Sequence, residues 1–214
     1  MYVFSIAVVT GGNKGIGLEI CKELASNGVG LILTARDEKR GKEAVEKLTT
    51  DYGFTNVIFH LLDVTDHSSI ASLVSFVKNQ FGKLDILVNN VAIPGIELSQ
   101  PIDEKLPQPE RAKLFQKYQV QSYQRAFDCL KTNYYGVKNM MEAFLPLLQS
   151  SNAGRIVNVS STRGQLQDLS EKLRKELEDI DNLTVERIDQ LTNSFPKHVR
   201  DNMVEKDAAQ IRCI

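Results

Sequence analysis

The sequence predicts an α/β fold in which helices cover both faces of a parallel β-sheet, a doubly wound arrangement. Short apolar runs rich in β-branched residues alternate with segments whose apolar residues recur every three or four positions. Strands that are buried on both faces read as continuous apolar runs, and helices join such strands when they are parallel. A glycine-rich loop between the first run and the first helical segment is typical of the same fold class.

Five apolar runs predict the strands of the sheet, at residues 3–9, 30–34, 57–62, 84–88 and 155–159. Apolar residues at helical spacing predict the helices that connect them, at about residues 16–24, 45–48, 70–81 and 124–148. Asp66 precedes the third helix and is a plausible N-cap. Together these elements predict a Rossmann-type sheet of about five strands.

Two segments interrupt the alternation. Residues 94–123 carry four prolines and many charges, which indicates a surface insertion with a short helix near residues 110–118. Residues 165–207 form a second, helical insertion, either a solvated hairpin or a lid over a ligand site. We therefore expect a nucleotide-binding domain over residues 1–164, the helical insertion over 165–207, and a truncated tail over 208–214.

Local signals set the helices of the second insertion. Asp168 and Glu171 are spaced as a capping box, which predicts that a helix begins after Asp168. A second helix is expected to begin near Thr184, and Pro196 is expected to end or bend it.

The composition is that of a globular protein. Of 214 residues, 42% are hydrophobic and 25% are charged, which argues against general disorder. The net charge of −1 argues against a nucleic-acid partner, and the absence of a stretch of ~20 apolar residues argues against a membrane span. Cys21, Cys129 and Cys213 are odd in number and far apart, so we expect no disulfide framework, no metal site and a reducing, cytoplasmic location.

The loop after the first strand has the features of a phosphate-binding loop. Gly11 allows a sharp turn, Gly15 allows a pyrophosphate to approach the backbone, and Gly17 allows close packing of helix on sheet. Amide groups at the helix start would then point at the phosphates. The loop lacks the Gly-Lys-Ser/Thr ending of a P-loop, which argues against an NTPase. Its predicted cofactor-binding residues are Gly11, Asn13, Lys14, Gly15, Ile16 and Gly17.

The end of the second strand indicates which cofactor is bound. An acidic residue there would bind the ribose 2′-OH of NAD, whereas this chain has Arg36. A guanidinium suits a 2′-phosphate, and Lys14 adds a second positive charge. Asp37 is the counter-argument, although it also fits as a helix N-cap. The pattern favours NADPH over NADH; the alternative is two solvated cations without a ligand.

Further motifs occur in a fixed order: Asp63-Val64, Asn89-Asn90-Val91-Ala92, Thr132-Asn133-Tyr134-Tyr135-Gly136 and Asn158-Val159-Ser160-Ser161. Together with the glycine loop they resemble the short-chain dehydrogenase/reductase family over residues 3 to 164. The loop and the insertion after Ser161 resemble its monomeric carbonyl-reductase branch, and residues 129–138 resemble the plant members of that branch. The resemblance implies NADPH-dependent reduction of a small terpenoid- or alkaloid-like ketone or aldehyde by a monomer.

The resemblance also implies roles for the cofactor-binding residues. Asp63 would contact the adenine amino group, with Val64 beside it. Asn90 and Ala92 would lie along the adenosine ribose. Asn89 would brace the central strand.

Two catalytic roles follow from the same resemblance. Asn133 would hold a water in a proton relay, unless it only satisfies a helix kink. Ser161 would hydrogen-bond the substrate carbonyl, unless Ser160 faces the site instead. We prefer Ser161 because alternation along the strand turns Ser160 to the other face.

The general acid of the family is missing from the expected place. A Tyr with a Lys four residues later should follow Ser161, but no Tyr follows Tyr135 in the sequence. Tyr134 and Lys138 have the spacing, but they precede Ser161 and we interpret them as a coincidence. The alternative function is therefore a truncated, catalytically impaired NADP-binding protein.

Overall fold

The computed structural model describes residues 5–201. The strands of this part of the chain are β1 (Ile6–Val9), β2 (Gly30–Ala35), β3 (Val57–Leu61), β4 (Ile86–Asn89), β5 (Glu97–Leu98), β6 (Gln119–Val120) and β7 (Arg155–Asn158). Its helices are α1 (Gly15–Ser26), α2 (Glu38–Tyr52), α3 (His67–Phe81), α4 (Gln108–Tyr118), α5 (Tyr123–Cys129), α6 (Val137–Gln149), α7 (Glu171–Glu178) and α8 (Val185–Arg200).

The main sheet has five parallel strands in the order β3-β2-β1-β4-β7. The chain moves outward from β1 to β3 and then returns to the other side of β1 with β4. This reversal lies at the carboxyl ends of β1 and β4, where open α/β sheets bind ligands. The predicted fold class and the five predicted strands are confirmed.

Helices cover both faces of this sheet, as a doubly wound fold requires. Val8, Ile32 and Leu87 alternate onto one face and share a buried cluster with residues of α3 and α6. Val9, Leu33 and the other residues of opposite parity share a second cluster with residues of α1 and α2. The continuous apolar runs of the sequence arise because both faces are buried.

The fourth strand and the fourth predicted helix depart from the prediction for identifiable reasons. The fourth strand begins at Ile86 rather than at residue 84, because the Leu84 amide donates to the Leu147 carbonyl of α6 rather than to a strand. The predicted helix over 124–148 is divided by a π-helical segment, Leu130–Gly136. π-helical turns are rare and often lie at functional sites, and Asn133 is in the middle of this one.

The described chain divides into two compact units, residues 5–92 with 134–160, and residues 93–133 with 161–201. In this division the first insertion joins the same unit as α7 and α8, and the predicted boundary at residue 164 stays a prediction. The main sheet belongs to the first unit. The predicted tail, residues 208–214, lies outside the described residues.

Of the two helix starts predicted for the second unit, one is confirmed and the other is displaced by two residues. Ser170, not Asp168, caps α7, since its hydroxyl accepts from the Leu173 amide; the predicted capping box is wrong. Thr184 caps α8 as predicted. Pro196 does not end α8, which continues to Arg200.

The helix continues past Pro196 because both sides of the proline are packed. Phe195 and Val199, one turn apart, are buried with Ala126 of α5 in a small cluster. Apolar burial offsets the hydrogen bond that a proline removes from a helix. The second insertion is therefore a hairpin whose second helix packs on α5, while α7 has no buried residue.

The cysteines within the described residues differ in state. Cys21 is free and buried, and burial raises the pKa of its thiol to about 12. Cys129 is disulfide-bonded, which the spacing of the cysteines did not predict. Between residues 5 and 201, no helix is both long and apolar enough to cross a membrane.

Candidate cofactor site

The loop from β1 to α1 has the backbone geometry that its glycines predict. Gly11 and Gly15 have φ angles of 65° and 54°, a region that residues with a Cβ rarely adopt. A Cβ on Gly17 would lie 2.3 Å from the Gly11 carbonyl oxygen and 2.5 Å from Asn90 Nδ2. A Cβ on Gly15 would meet nothing within 4 Å, so the backbone at Gly15 is open to a ligand.

The start of α1 is left without a side-chain cap. Lys14 occupies the N-cap position and accepts no capping hydrogen bond, whereas Asp37 caps α2 and Asp66 caps α3. The first amides of a helix need an acceptor, and the helix dipole favours a negative one. Ile16 in this turn is 66% exposed. The arrangement fits the pyrophosphate of a dinucleotide.

The two predicted cations lie on the surface of the same unit. Lys14 and Arg36 are exposed, and neither forms an ion pair within residues 5–201. Asp37, the acidic residue next to Arg36, serves as the N-cap of α2, since its carboxylate accepts a hydrogen bond from the Arg40 amide at 2.9 Å. Arg36 therefore stands at the end of β2 as a charge available to an anion.

Asp63 is held at the end of β3. Its Oδ1 accepts from the Thr65 amide at 2.9 Å and from the Thr65 hydroxyl at 2.8 Å, and its own amide donates to Ser69 Oγ at 2.9 Å. Val64 is 5% exposed and packs in the core, where Gly136 leaves room for it. Only the backbone of Val64 can then face a cofactor.

Thr10 connects the glycine loop to the segment after β4. Its hydroxyl oxygen accepts from the amides of Asn90 at 2.9 Å and Val91 at 3.0 Å, and it is 1% exposed. The Asn90 side chain donates in return to the carbonyls of Thr10 and Gly11. Asn90, half-buried, and Ala92, exposed, are thereby fixed beside the loop.

Asn89 braces β4 against β7, as the resemblance implies. Its Nδ2 donates to Asn158 Oδ1 at 2.8 Å. Its Oδ1 is buried and accepts no hydrogen bond within the described residues. An unpaired buried acceptor is costly, which is typical of a strand end that serves a site.

The predicted catalytic residues, Asn133 and Ser161, belong to the second compact unit. The Asn133 side chain accepts from the Ile93 amide at 2.9 Å and donates to the Ile93 carbonyl at 3.0 Å. It thus clamps the segment that follows Ala92, and its water-holding role stays a prediction. Ser161 is exposed, and its backbone carbonyl accepts from Gly164.

The structure adds three residues that the sequence reasoning missed. Thr10 and Thr65 are polar residues at strand ends whose partners are backbone amides of the site. Gly12 is required because a Cβ there would lie 2.7 Å from Cys21 Sγ and 2.9 Å from Leu33 Cγ. The consecutive glycines at 11 and 12 were the available signal for Gly12.

Known proteins are similar to this chain in sequence and in structure. The sequence profile of the short chain dehydrogenase family matches residues 5–183. The (+)-neomenthol dehydrogenase of Capsicum annuum is 44% identical over 218 residues, covering 93% of this chain and 69% of that protein. The solved structure of salutaridine reductase from Papaver somniferum has a TM-score of 0.83 and 44% identity, covering 94% of this chain and 72% of that one. A carbonyl reductase [NADPH] of Sus scrofa is 34% identical, covering 94% of this chain and 63% of that protein.

Proposed function

The chain belongs to the short-chain dehydrogenase family, as its motifs predict, and we propose that it is an NADPH-dependent reductase of ketones or aldehydes. Two observations carry the proposal together: the start of α1 has no side-chain cap, and Arg36 is exposed where β2 ends. A helix start of this kind binds a pyrophosphate, and a guanidinium at the end of β2 suits a 2′-phosphate.

The residues of the first unit would each hold one part of the cofactor. The amides of residues 13–17 would bind the pyrophosphate, and Lys14 and Arg36 the 2′-phosphate. Asp63 would accept from the adenine amino group, while Asn90 and Ala92 would lie along the adenosine ribose. When bound, NADPH supplies the hydride that reduces the carbonyl carbon.

The second unit would act on the substrate. Ser161 would donate to the carbonyl oxygen and Asn133 would position a water for proton transfer. We propose a small terpenoid- or alkaloid-like substrate, because the most similar proteins include a neomenthol dehydrogenase and a salutaridine reductase.

The proposal is tested by titrating the purified 214-residue chain with NADPH and with NADH, using the fluorescence of the reduced nicotinamide. We expect saturable binding with a preference for NADPH. Arg36→Ala should reduce that preference about tenfold or more, since charge-assisted bonds to phosphate are among the stronger ones. Lys42→Ala is the control, because Lys42 is an exposed cation of α2 paired with Glu38. A folded chain that binds neither nucleotide, or an Arg36 variant with unchanged preference, contradicts the proposal.

One observation favours a second candidate, a nucleotide-binding protein of low activity. Within these 214 residues no Tyr follows Tyr135, so they do not contain the general acid that the resemblance implies after Ser161. Loss of a general acid costs about 10²–10⁴ in rate. Single-turnover reduction of a panel of cyclic terpenoid and alkaloid ketones separates the candidates. Stereospecific turnover at the rate of a full reductase rules out the second, and cofactor binding without turnover supports it.

Assembly and location form the last part of the proposal. We propose a monomer, because the resemblance assigns the helical insertion to a surface that related chains use to associate, and α8 covers α5 in this structure. Light scattering after size-exclusion chromatography tests this, and a dimer contradicts it. We also propose a cytoplasmic location. Cell fractionation tests this, and recovery of the protein outside the cytosolic fraction contradicts it.

A further inference from the structure

Thr34 is a buried polar residue of β2 that forms hydrogen bonds on both sides of the turn in the glycine loop. It is 0% exposed, and its hydroxyl donates to the carbonyl of Val9, the last residue of β1, at 3.0 Å. Its own carbonyl accepts from the Gly12 amide at 2.9 Å. The turn at Gly11, where φ is 65°, therefore lies between two backbone groups that the same residue holds.

Thr34 is also close to Arg36 along the chain. Ala35, the last residue of β2, is all that separates the two. The Ala35 carbonyl accepts from the Leu62 amide at 3.0 Å, and β2 is paired with β1 on one side and with β3 on the other. The end of β2 is thus held by the sheet, and Thr34 connects the phosphate loop to the segment that carries Arg36.

A nucleotide with a 2′-phosphate carries two anionic groups on one ribose. Its pyrophosphate is attached through the 5′ carbon and its 2′-phosphate at the 2′ carbon, so covalent bonds limit the distance between them. A site whose two binding groups already have the matching separation loses little conformational freedom when both are engaged. NADPH would engage the loop and Arg36 together, whereas NADH, which lacks the 2′-phosphate, would engage the loop without that contact.

We propose that Thr34 is a positioning residue that sets the separation between the phosphate loop and Arg36, and so raises the preference for a nucleotide with a 2′-phosphate. The inference rests on the proposed NADPH function. Without the Thr34 hydroxyl, the Val9 carbonyl loses this donor, and only the Gly12 bond connects Thr34 to the turn. The loop amides and the Arg36 charge both remain, so the affinity for NADPH falls more than the affinity for NADH.

The experiment compares the NADPH and NADH affinities of the native 214-residue chain with those of three Thr34 variants, using the fluorescence of the reduced nicotinamide. Thr34→Val keeps the shape of the side chain and removes the hydroxyl. We expect it to reduce the preference for NADPH about threefold or more, as for one lost hydrogen bond. Thr34→Ala removes the same donor without leaving a methyl group beside the Val9 carbonyl, and the same reduction is expected. Thr34→Ser keeps the hydroxyl and should retain the native preference.

Two further variants separate positioning from a general effect of losing a hydroxyl. Thr49→Val is the matched control, because the exposed Thr49 hydroxyl of α2 also donates to a backbone carbonyl, that of Val45, at 3.0 Å. It should leave the nucleotide preference as it is in the native chain. The second is Thr34→Val combined with Arg36→Ala. Without the guanidinium there is no separation to set, so Thr34→Val should not reduce the preference further, and the two effects should not add.

The possible outcomes are distinct. A reduced preference in Thr34→Val and Thr34→Ala that is native in Thr34→Ser, and that disappears in the Arg36→Ala background, supports the inference. An equal fall in affinity for both nucleotides, which a purely structural role of Thr34 predicts, overturns it, as does a reduction that persists without Arg36. Either result leaves the proposed function intact when the native chain prefers NADPH. A folded native chain that binds neither nucleotide removes the proposed function and the inference together.

Discussion

The two ends of the central sheet use their polar groups in opposite ways. At the amino end, Asp85 is 6% exposed and accepts from the Ile6 amide at 2.7 Å, from Lys83 at 2.8 Å and from Ser151 at 2.5 Å. All three hydrogen-bond donors to the Asp85 carboxylate therefore belong to the chain itself. At the carboxyl end, Asn89 Oδ1 is buried without a partner among the described residues, and the start of α1 has no side-chain cap.

The polar groups at the amino end of the sheet stabilise the fold, whereas those at the carboxyl end are available to a ligand. A fully paired buried carboxylate ties three strand ends together and leaves nothing for a ligand. Unused acceptors and uncapped amides cost free energy unless a ligand or water satisfies them. We therefore expect substitutions at the amino end to lower the free energy of unfolding, and substitutions at the carboxyl end to change cofactor affinity.

The largest effect is expected for Asp85→Ala. Removing the carboxylate leaves the Ile6 amide and the half-buried Lys83 unpaired, which should lower the free energy of unfolding by about 2–4 kcal/mol. Urea denaturation measures the loss. NADPH affinity of the folded chain should change little, and a large change would break the comparison. Asp37→Ala, an exposed helix cap, is the control and should cost only about 1 kcal/mol.

Gly17→Ala should act at the other end with the opposite pattern. Its Cβ would lie 2.3 Å from the Gly11 carbonyl oxygen, so the phosphate loop must move. We expect NADPH affinity to fall about a hundredfold, as measured by fluorescence titration. Gly53→Ala is the control, since Gly53 has open space around it and lies at the C-cap of α2, outside the phosphate loop. Native affinity in Gly17→Ala would contradict the assignment of this loop to the cofactor.

Thr10→Val tests both ends of the comparison at once. The Thr10 hydroxyl is expected to contribute both to the free energy of unfolding and to the shape of the cofactor loop. Loss of the Thr10 hydroxyl leaves the part-buried amides of Asn90 and Val91 without this acceptor. We expect a cost of about 2 kcal/mol in unfolding free energy and an NADPH affinity about threefold to tenfold lower. Thr10→Ser restores the oxygen and should recover both quantities. If it recovers neither although it restores the oxygen, the hydrogen bonds from the Asn90 and Val91 amides do not set the effect.

Most of the fold could be predicted because its signals are local. Apolar runs predicted the five strands, and Asp66 and Thr184 predicted two helix starts that the structure confirms. Local signals failed where a nearby alternative competed, since Ser170 caps α7 in place of Asp168. Pro196 was predicted to end or bend α8, and only the predicted end is wrong, since the helix continues to Arg200 with Phe195 and Val199 buried.

The details of the site depended on partners that are distant in sequence. Asn133 clamps Ile93, forty residues away, and Asn89 pairs with Asn158, sixty-nine residues away. In the sequence nothing distinguishes Asp85 from a surface aspartate, because its hydrogen-bond partner Ile6 lies 79 positions earlier. No local pattern encodes such pairs, so the resemblance could name Asn133 and Asn89 but not their partners.

The smallest effect is the pH dependence of the amino-end cluster. Burial raises the pKa of the Asp85 carboxyl, but the hydrogen bonds from Lys83, Ser151 and Ile6 outweigh burial and hold the pKa below its ordinary value of 3.8. A depressed pKa stabilises the fold above the unfolded value, and that stability is lost as the pH falls through the folded value. The unfolding free-energy difference between the native chain and Asp85→Asn should therefore be constant from about pH 7 to 5 and shrink below about pH 4. The carboxyls of the exposed Asp66 and the half-buried Glu176, whose pKa values are also lowered, are present in both proteins and their effects cancel. A difference that shrinks already above pH 5, or that persists unchanged at the lowest pH where the chain still folds, would show that the Asp85 carboxylate is not what ties these strand ends together.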